Sequence, residues 1–252
     1  MTENKEILNE APIEAHINEL QNRIIRCVIV FIVLCCFSMF FANDVYDFLA
    51  APLVQAITQH STNKKLIFTG ITEGFMTHMR LSLFLGLGLS FPYIIFQIYR
   101  FLSPGLYKKE KRVILPFVLG SICLFFIGIS IAFFLVAPIA CKFFISFEGL
   151  INYNHSEIPI VLEARISEYL STITQLLISF GIVFQLPIIL LMLSKLGVVS
   201  VEVLRKYRRH AIVLNFVVAA IITPPDVISQ VSLAIPMVLL YELSIFFIKK
   251  FN

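Results

Sequence analysis

Six apolar runs follow one another along the chain, at roughly 24–42, 76–99, 113–137, 166–193, 211–224 and 228–248. Polar stretches at 43–75, 100–112, 138–165 and 194–210, and the short connection TPPD (223–226), separate them. About 20 apolar residues in helix cross about 30 Å of hydrocarbon, and most of the runs reach or approach that length. None shows the alternation of a barrel strand. The pattern predicts an all-α polytopic membrane protein, a single domain over 1–252 with six transmembrane helices. Ahead of the first run, Ile13, Ile17, Leu20 and Ile24 recur at spacings of 4, 3 and 4. That periodicity predicts an amphipathic helix lying along the interface before the chain turns in.

The connection between the last two runs carries the most local information. The cationic cluster RKYRR (205–209) is separated from Asp226 by the sixteen positions 210–225. As helix these cover about 20–24 Å, short of the hydrocarbon thickness. Pro224 and Pro225 lack amide protons and end the fifth run sharply. Asp226 suits the start of the next helix, where its carboxylate accepts backbone N–H bonds. Pro236 interrupts the sixth run. Two readings stay open: a plain reverse turn, or two adjacent short spans that thin the bilayer by mismatch. Pro52, Pro104 and Gly105 are read, with Pro224 and Pro225, as structural turns. FLAAPLV (48–54) and FLVAPIA (134–140) echo one another. Proline as a boundary device accounts for this better than a duplicated pair of spans.

Composition agrees with the pattern. The chain is 58% hydrophobic and 14% charged, with mean hydropathy +0.89, against about half and a quarter in soluble domains. The opening MTENKEILNEAPIEAHINELQNR reads as neither a cleavable signal nor a transit peptide. Fifteen of the twenty Lys and Arg fall in the N-terminal stretch, the loops after the second and fourth runs and the C-terminus. Both termini are therefore expected to be cytoplasmic. This bias explains the net charge of +4 by topology and lipid headgroups, with no nucleic-acid partner. Cys27, Cys35, Cys36, Cys123 and Cys141 lie in or beside apolar runs without metal-ligand spacing, so no metal or cofactor is expected.

Polar groups inside apolar runs mark functional candidates. Gln185 lies deep in the fourth run, two residues before Pro187. It either satisfies carbonyls freed by the proline, or bonds a neighbouring helix, or offers a bond to an incoming one. Glu73, Arg80, Arg165, Glu168 and Asp226 fall near the outer face, where single ion pairs contribute little. On the inner side, Glu19 sits beside the amphipathic stripe. Glu110 lies among four cations, shortly after Phe101 and a Pro-Gly turn. A solute carrier would need inverted repeats and a polar mid-membrane cavity, and an intramembrane hydrolase would need a catalytic constellation; neither pattern is present.

The residues HINELQNRI (16–24), FANDVYDFLAAPL (41–53), EGF (73–75), PYIIFQIYRFLSPGLYKKEKR (92–112), LPIILLMLSKLGVVSVEVLRKYRR (186–209) and TPPDVISQVSLAIPM (223–237) together resemble TatC. This is the multispan core family of the twin-arginine protein translocase. The resemblance implies a receptor without catalytic residues, folded as a concave, glove-like bundle with short fifth and sixth helices. It implies that Glu19 and Glu110, with Phe101 nearby, bind the paired arginines of a folded cargo's signal peptide. A carboxylate fork suits a guanidinium. TatA- and TatB-type single-span subunits would dock around Thr223, Asp226, Gln230 and Pro236. Self-association in a multimeric receptor complex, contact with membrane lipids and transport driven by the proton-motive force are implied too. The implied setting is a bacterial cytoplasmic membrane, or an organelle membrane for an organelle-encoded relative. Two departures stand out. Relatives commonly read ELR where this chain has Glu19-Leu20-Gln21, leaving Arg23 to supply the local positive charge beside Gln21. Many relatives carry glutamate where this chain has Gln185, a site implied to face the concave side.

Overall fold

The computed structural model describes residues 13–60, 66–102, 114–153, 156–160, 163–223 and 226–251. Its long elements are helices. α1 is Ile13–Ser38, α2 Ala42–His60, α3 Glu73–Leu102 and α4 Ile114–Ile131. A single π-turn, Ala132–Val136, joins α4 to α5, Ala137–Ile145. α6 is Ile166–Val183, α7 Leu186–Lys195, α8 Val201–Lys206, α9 Arg208–Ile222 and α10 Val227–Phe251. Between α5 and α6 stands a short antiparallel hairpin, β1 Gly149–Tyr153 and β2 Ser156–Ile160, with Gly149 opposite Ile160 and Tyr153 opposite Ser156. Among the described residues, five helical segments are long and apolar enough to cross a membrane: Ile17–Thr58, Glu73–Phe101, Leu115–Ile145, Ile166–Lys195 and Val227–Lys250. With side chains such as Val33, Phe134, Leu239 and Phe246 exposed on the bundle surface, the chain is a multi-pass membrane protein.

α1 and α3 are antiparallel and closely packed. Arg23 of α1 meets Gln97 near one end, and just past the other end of α1, at the start of α2, Asn43 Oδ1 meets His78 Nε2 at 2.9 Å. Between them, a Cβ at Gly86 would lie 2.4 Å from Cys35 Sγ. The α4–α6 contact is equally close. A Cβ at Gly128 would lie 2.7 Å from the Phe180 carbonyl, and one at Gly181 2.6 Å from the Phe125 ring. In lipid there is no hydrophobic force between helices, so such close approach by small residues is what holds them. The main core joins Leu49, Leu53 and Ile57 of α2, Cys141 and Ile145 of α5, and Leu170, Ile173 and Leu177 of α6.

Several expectations are corrected. α1 runs unbroken from Ile13 to Ser38, so no turn separates an interfacial segment from the first span. Ile17, Leu20 and Ile24 are exposed while Arg23 turns toward α3. Pro52 is not a turn: it lies buried within α2, tolerated because only the amide at that position is lost and the ring packs in the core. The stretch read as a loop over 43–75 thus holds a helix. Its partner in the echo, 134–140, runs through the π-turn into α5, and the Phe48 and Phe133 rings stack at 4.4 Å. Pro138 supplies no amide and crowds the Phe134 carbonyl, which accounts for the widened turn before it. Pro236 does not interrupt the last run, since α10 continues through it to Phe251. The fourth run, read as one span over 166–193, is broken before Pro187. α6 stops at Val183, and the chain resumes as α7 at Leu186.

Candidate functional site

Helix α1 places Glu19 and Arg23 one turn apart, on the side that meets α3. Arg23 Nε donates to Glu19 Oε1 at 3.0 Å, and Nη2 also contacts that oxygen. Arg23 Nη1 donates to Gln97 Oε1 at 3.0 Å, and Gln97 Nε2 donates to Tyr93 Oη at 2.7 Å. The Arg23 side chain is 14% exposed and that of Glu19 40%. Gln97 is 6% exposed, so its amide is held in one orientation. A guanidinium thus bridges a half-exposed carboxylate and a buried amide, and ties the two helices together. Asn18, Asn22, Arg26 and Arg100 complete an open groove around the pair. Phe101 follows Gln97 by one turn and is half-buried; Gln21 is exposed. Glu110, Pro104 and Gly105 lie outside the described residues, as do Pro224 and Pro225. Sequence reasoning did not find Tyr93 or the tie of Gln97 to Arg23. The i, i+4 spacing of Tyr93 and Gln97 was the available signal.

Gln185 is 7% exposed. Its Nε2 donates to the carbonyls of Ser121 at 3.1 Å and Gly181 at 3.3 Å. The Gly181 carbonyl lacks its helical donor because the Gln185 N–H bonds Ile182 instead. Gln185 therefore repairs the break before Pro187 and also crosses to α4. Its Oε1 is buried without a partner among the described residues. Ser121 is tied in turn to Tyr99, at 3.1 Å between the two hydroxyls.

At the α9–α10 junction, Thr223 is buried and bonds the Ala219 carbonyl at 2.8 Å. Asp226 Oδ1 accepts from the Ser229 N–H at 2.7 Å, capping α10 as the sequence suggested. Gln230 Nε2 reaches back to the Phe216 carbonyl at 3.4 Å. Sequence reading missed Gln175, whose Nε2 donates to the Ile222 carbonyl at 2.8 Å, bracing the end of α9 against α6. Gln175 also lines a broad groove with Phe31, Arg80, Phe84, Ile178 and Ile221.

At the far end of α3, Glu73 gathers the predicted polar groups into a latch. Its Oε2 accepts from the Thr69 N–H at 2.7 Å and the Gly70 N–H at 3.0 Å; its Oε1 accepts from the Ser167 hydroxyl and lies 3.5 Å from Arg165 Nη2. Arg165 also pairs with Glu168 at 2.6 Å. Among the described residues, Arg80 and Asp226 make no ion pair with this cluster. We expect Glu73→Ala to release the segment around Phe68 and Ile71, which are 51% and 105% exposed, and so to speed its cleavage in limited proteolysis. Glu73→Gln, which keeps one acceptor oxygen, should show less of the effect. An unchanged cleavage rate in both variants would contradict the latch.

The family model of the Sec-independent protein translocase protein (TatC) matches residues 15–236. The chain belongs to the TatC family. A TatC protein of Rickettsia prowazekii is 42% identical over 92% of this chain and 90% of its own length. That of Escherichia coli K12 is 37% identical over 94% and 87%, and that of Aquifex aeolicus 37% over 93% of each. A crystal structure described as the twin arginine translocase receptor TatC superposes with a TM-score of 0.78 at 37% identity. It covers 93% of this chain and 98% of that one. This TatC-family chain is accordingly a protein-translocase component and not an enzyme.

Proposed function

We propose that this chain is the signal-peptide receptor of a Sec-independent translocase, with Glu19, Phe101 and Glu110 forming its recognition site for paired arginines. The observation that carries the proposal is that Glu19 already grips a guanidinium, at an open end of the bundle where α1 and α3 are cross-tied. In the sequence, Glu110 follows the end of α3 at Leu102 by eight positions. A second carboxylate from that position would give an arginine pair both charge and register.

The excess of Lys and Arg favours six crossings with both termini cytoplasmic, α9 being the short fifth. Its fifteen residues span about 22 Å as helix, less than the hydrocarbon, which favours a thinned bilayer beside it. The resemblance adds the rest. TatA- and TatB-type subunits dock along α9 and α10 near Thr223, Asp226, Gln230 and Pro236. The peptide's apolar part follows the concave groove, and the proton-motive force drives export of folded cargo. The setting is the bacterial inner membrane, in contact with its lipids, with several receptor copies associating.

Photo-reactive residues at positions 22 and 100 test this directly. A twin-arginine signal peptide is expected to cross-link from both. Capture only from the opposite end, for example from position 168, would overturn the assignment.

A further inference from the structure

The groove that we assign to the arginine pair is already occupied and already cationic. It is lined by Arg23, Arg26 and Arg100 against the carboxylate of Glu19. The oxygen Oε1 of that carboxylate accepts from two nitrogens of Arg23. An incoming guanidinium therefore meets an excess of positive charge and an acceptor oxygen in use. Yet Arg23 is not held by Glu19 alone. Its third nitrogen rests on Gln97, whose amide is fixed by Tyr93 and buried between the helices. Arg23 thus has two anchors, one exposed and exchangeable, the other buried and permanent.

Resting on the receptor reading above, we infer that Arg23 is a resident stand-in for a cargo arginine. Recognition is then an exchange, in which the cargo guanidinium replaces Arg23 on Glu19 while Gln97 retains Arg23. Exchange conserves the number of charge-assisted bonds on the carboxylate, so binding is favoured only if the newcomer grips as well as the arginine it displaces. A guanidinium grips through a planar fork, an ammonium through a point contact. The resident arginine thus raises the threshold for every cationic newcomer alike, and lysine, with the weaker grip, falls below it first. It also explains how the chain tolerates Gln21. The positive charge that relatives place at that position is supplied one helical turn beyond Glu19, on the same face as its partner.

The test uses the full-length protein in lipid nanodiscs and synthetic signal peptides bearing either two arginines or two lysines, with affinity read by fluorescence anisotropy. Arg23→Gln removes the competitor and is expected to tighten binding of the arginine peptide about three- to tenfold, in line with a partly exposed charge-assisted pair. The lysine peptide displaces the same resident and should gain by the same factor, so that the ratio of the two affinities stays unchanged. In the Glu19→Gln background the gain from Arg23→Gln should vanish, because nothing is left to compete for. Arg23→Lys, which preserves charge and bulk, should give a smaller gain of the same sign, and serves if Arg23→Gln folds poorly. Unchanged or weaker arginine-peptide binding in a folded Arg23 variant would overturn the exchange and make Arg23 a positioning residue for Glu19. If Glu19→Gln alone left affinity untouched, the recognition role of Glu19 itself would fail. The two failures are therefore told apart.

Discussion

Replacing both Glu19 and Glu110 by glutamine is expected to weaken binding of a twin-arginine peptide by about two orders of magnitude. Glutamine keeps the shape of the side chain and one acceptor oxygen, so the loss isolates the charge. Truncating one partner of a buried charge pair costs about 2–5 kcal/mol. The Glu19 side chain, however, is 40% exposed, which places it near the screened end of the range. About 1.4 kcal/mol at each site corresponds to about tenfold each. The double substitution multiplies the two factors if the sites act independently, and falls short of the product if one arginine bridges both. Glu19→Gln has a second consequence. It strips Arg23 of its partner and leaves Arg23, Arg26 and Arg100 around the groove with less to balance them, so salt should partly restore affinity in this variant. Equilibrium titration of the single and double variants at two ionic strengths checks all of this. Full affinity in the double variant would remove the electrostatic basis of recognition.

Gly128→Val is expected to be the most damaging single substitution for folding. The first added carbon would lie 2.7 Å from the Phe180 carbonyl and 2.9 Å from the Phe184 ring. A carbonyl inside α6 cannot step aside without moving the helix. Overpacking of this kind costs about 1–3 kcal/mol and occasionally more, and here the high end applies because the obstacle is backbone. Gly181→Val meets the face of Phe125 at 2.6 Å and should cost somewhat less, since a ring can tilt. Gly88→Ala, with nothing within 4 Å of the new carbon, should be neutral or stabilising by a few tenths to about 1 kcal/mol, the gain in helix propensity. Thermal unfolding in detergent should rank the three in that order. A Gly128→Val protein as stable as the parent would mean that α4 and α6 are not in contact.

Comparing these elements with the sequence shows where local reading succeeds. The apolar runs are long enough that periodicity and length alone placed the helical bundle. The cap at Asp226 and the carbonyl freed ahead of Pro187 followed from chemistry within four residues. The errors come from proline and from distance. Pro52 was taken as a boundary, although Leu49, Leu53, Ala56 and Ile57 around it repeat at helical spacing and are buried. A helix buried on one side and capped by nothing apolar reads as a loop when its length is judged from the proline. Pro236 misled in the same way: one lost hydrogen bond does not end a long packed helix. At the candidate site, Glu19 was legible from its neighbours and from the family resemblance. The tie of its partner Arg23 to Gln97, seventy-four residues further along, was not, because no local rule pairs them.

The π-turn at Ala132–Val136 carries a consequence for how such a chain tolerates change in length. A turn of this kind holds one surplus residue without altering the rotational phase of the helices on either side. A version of the chain lacking one residue there would close into regular helix, with α4 still facing α6 and α5 still facing α2. The same deletion within α4 would swing everything beyond it by about 100° and carry Cys141 and Ile145 out of the core.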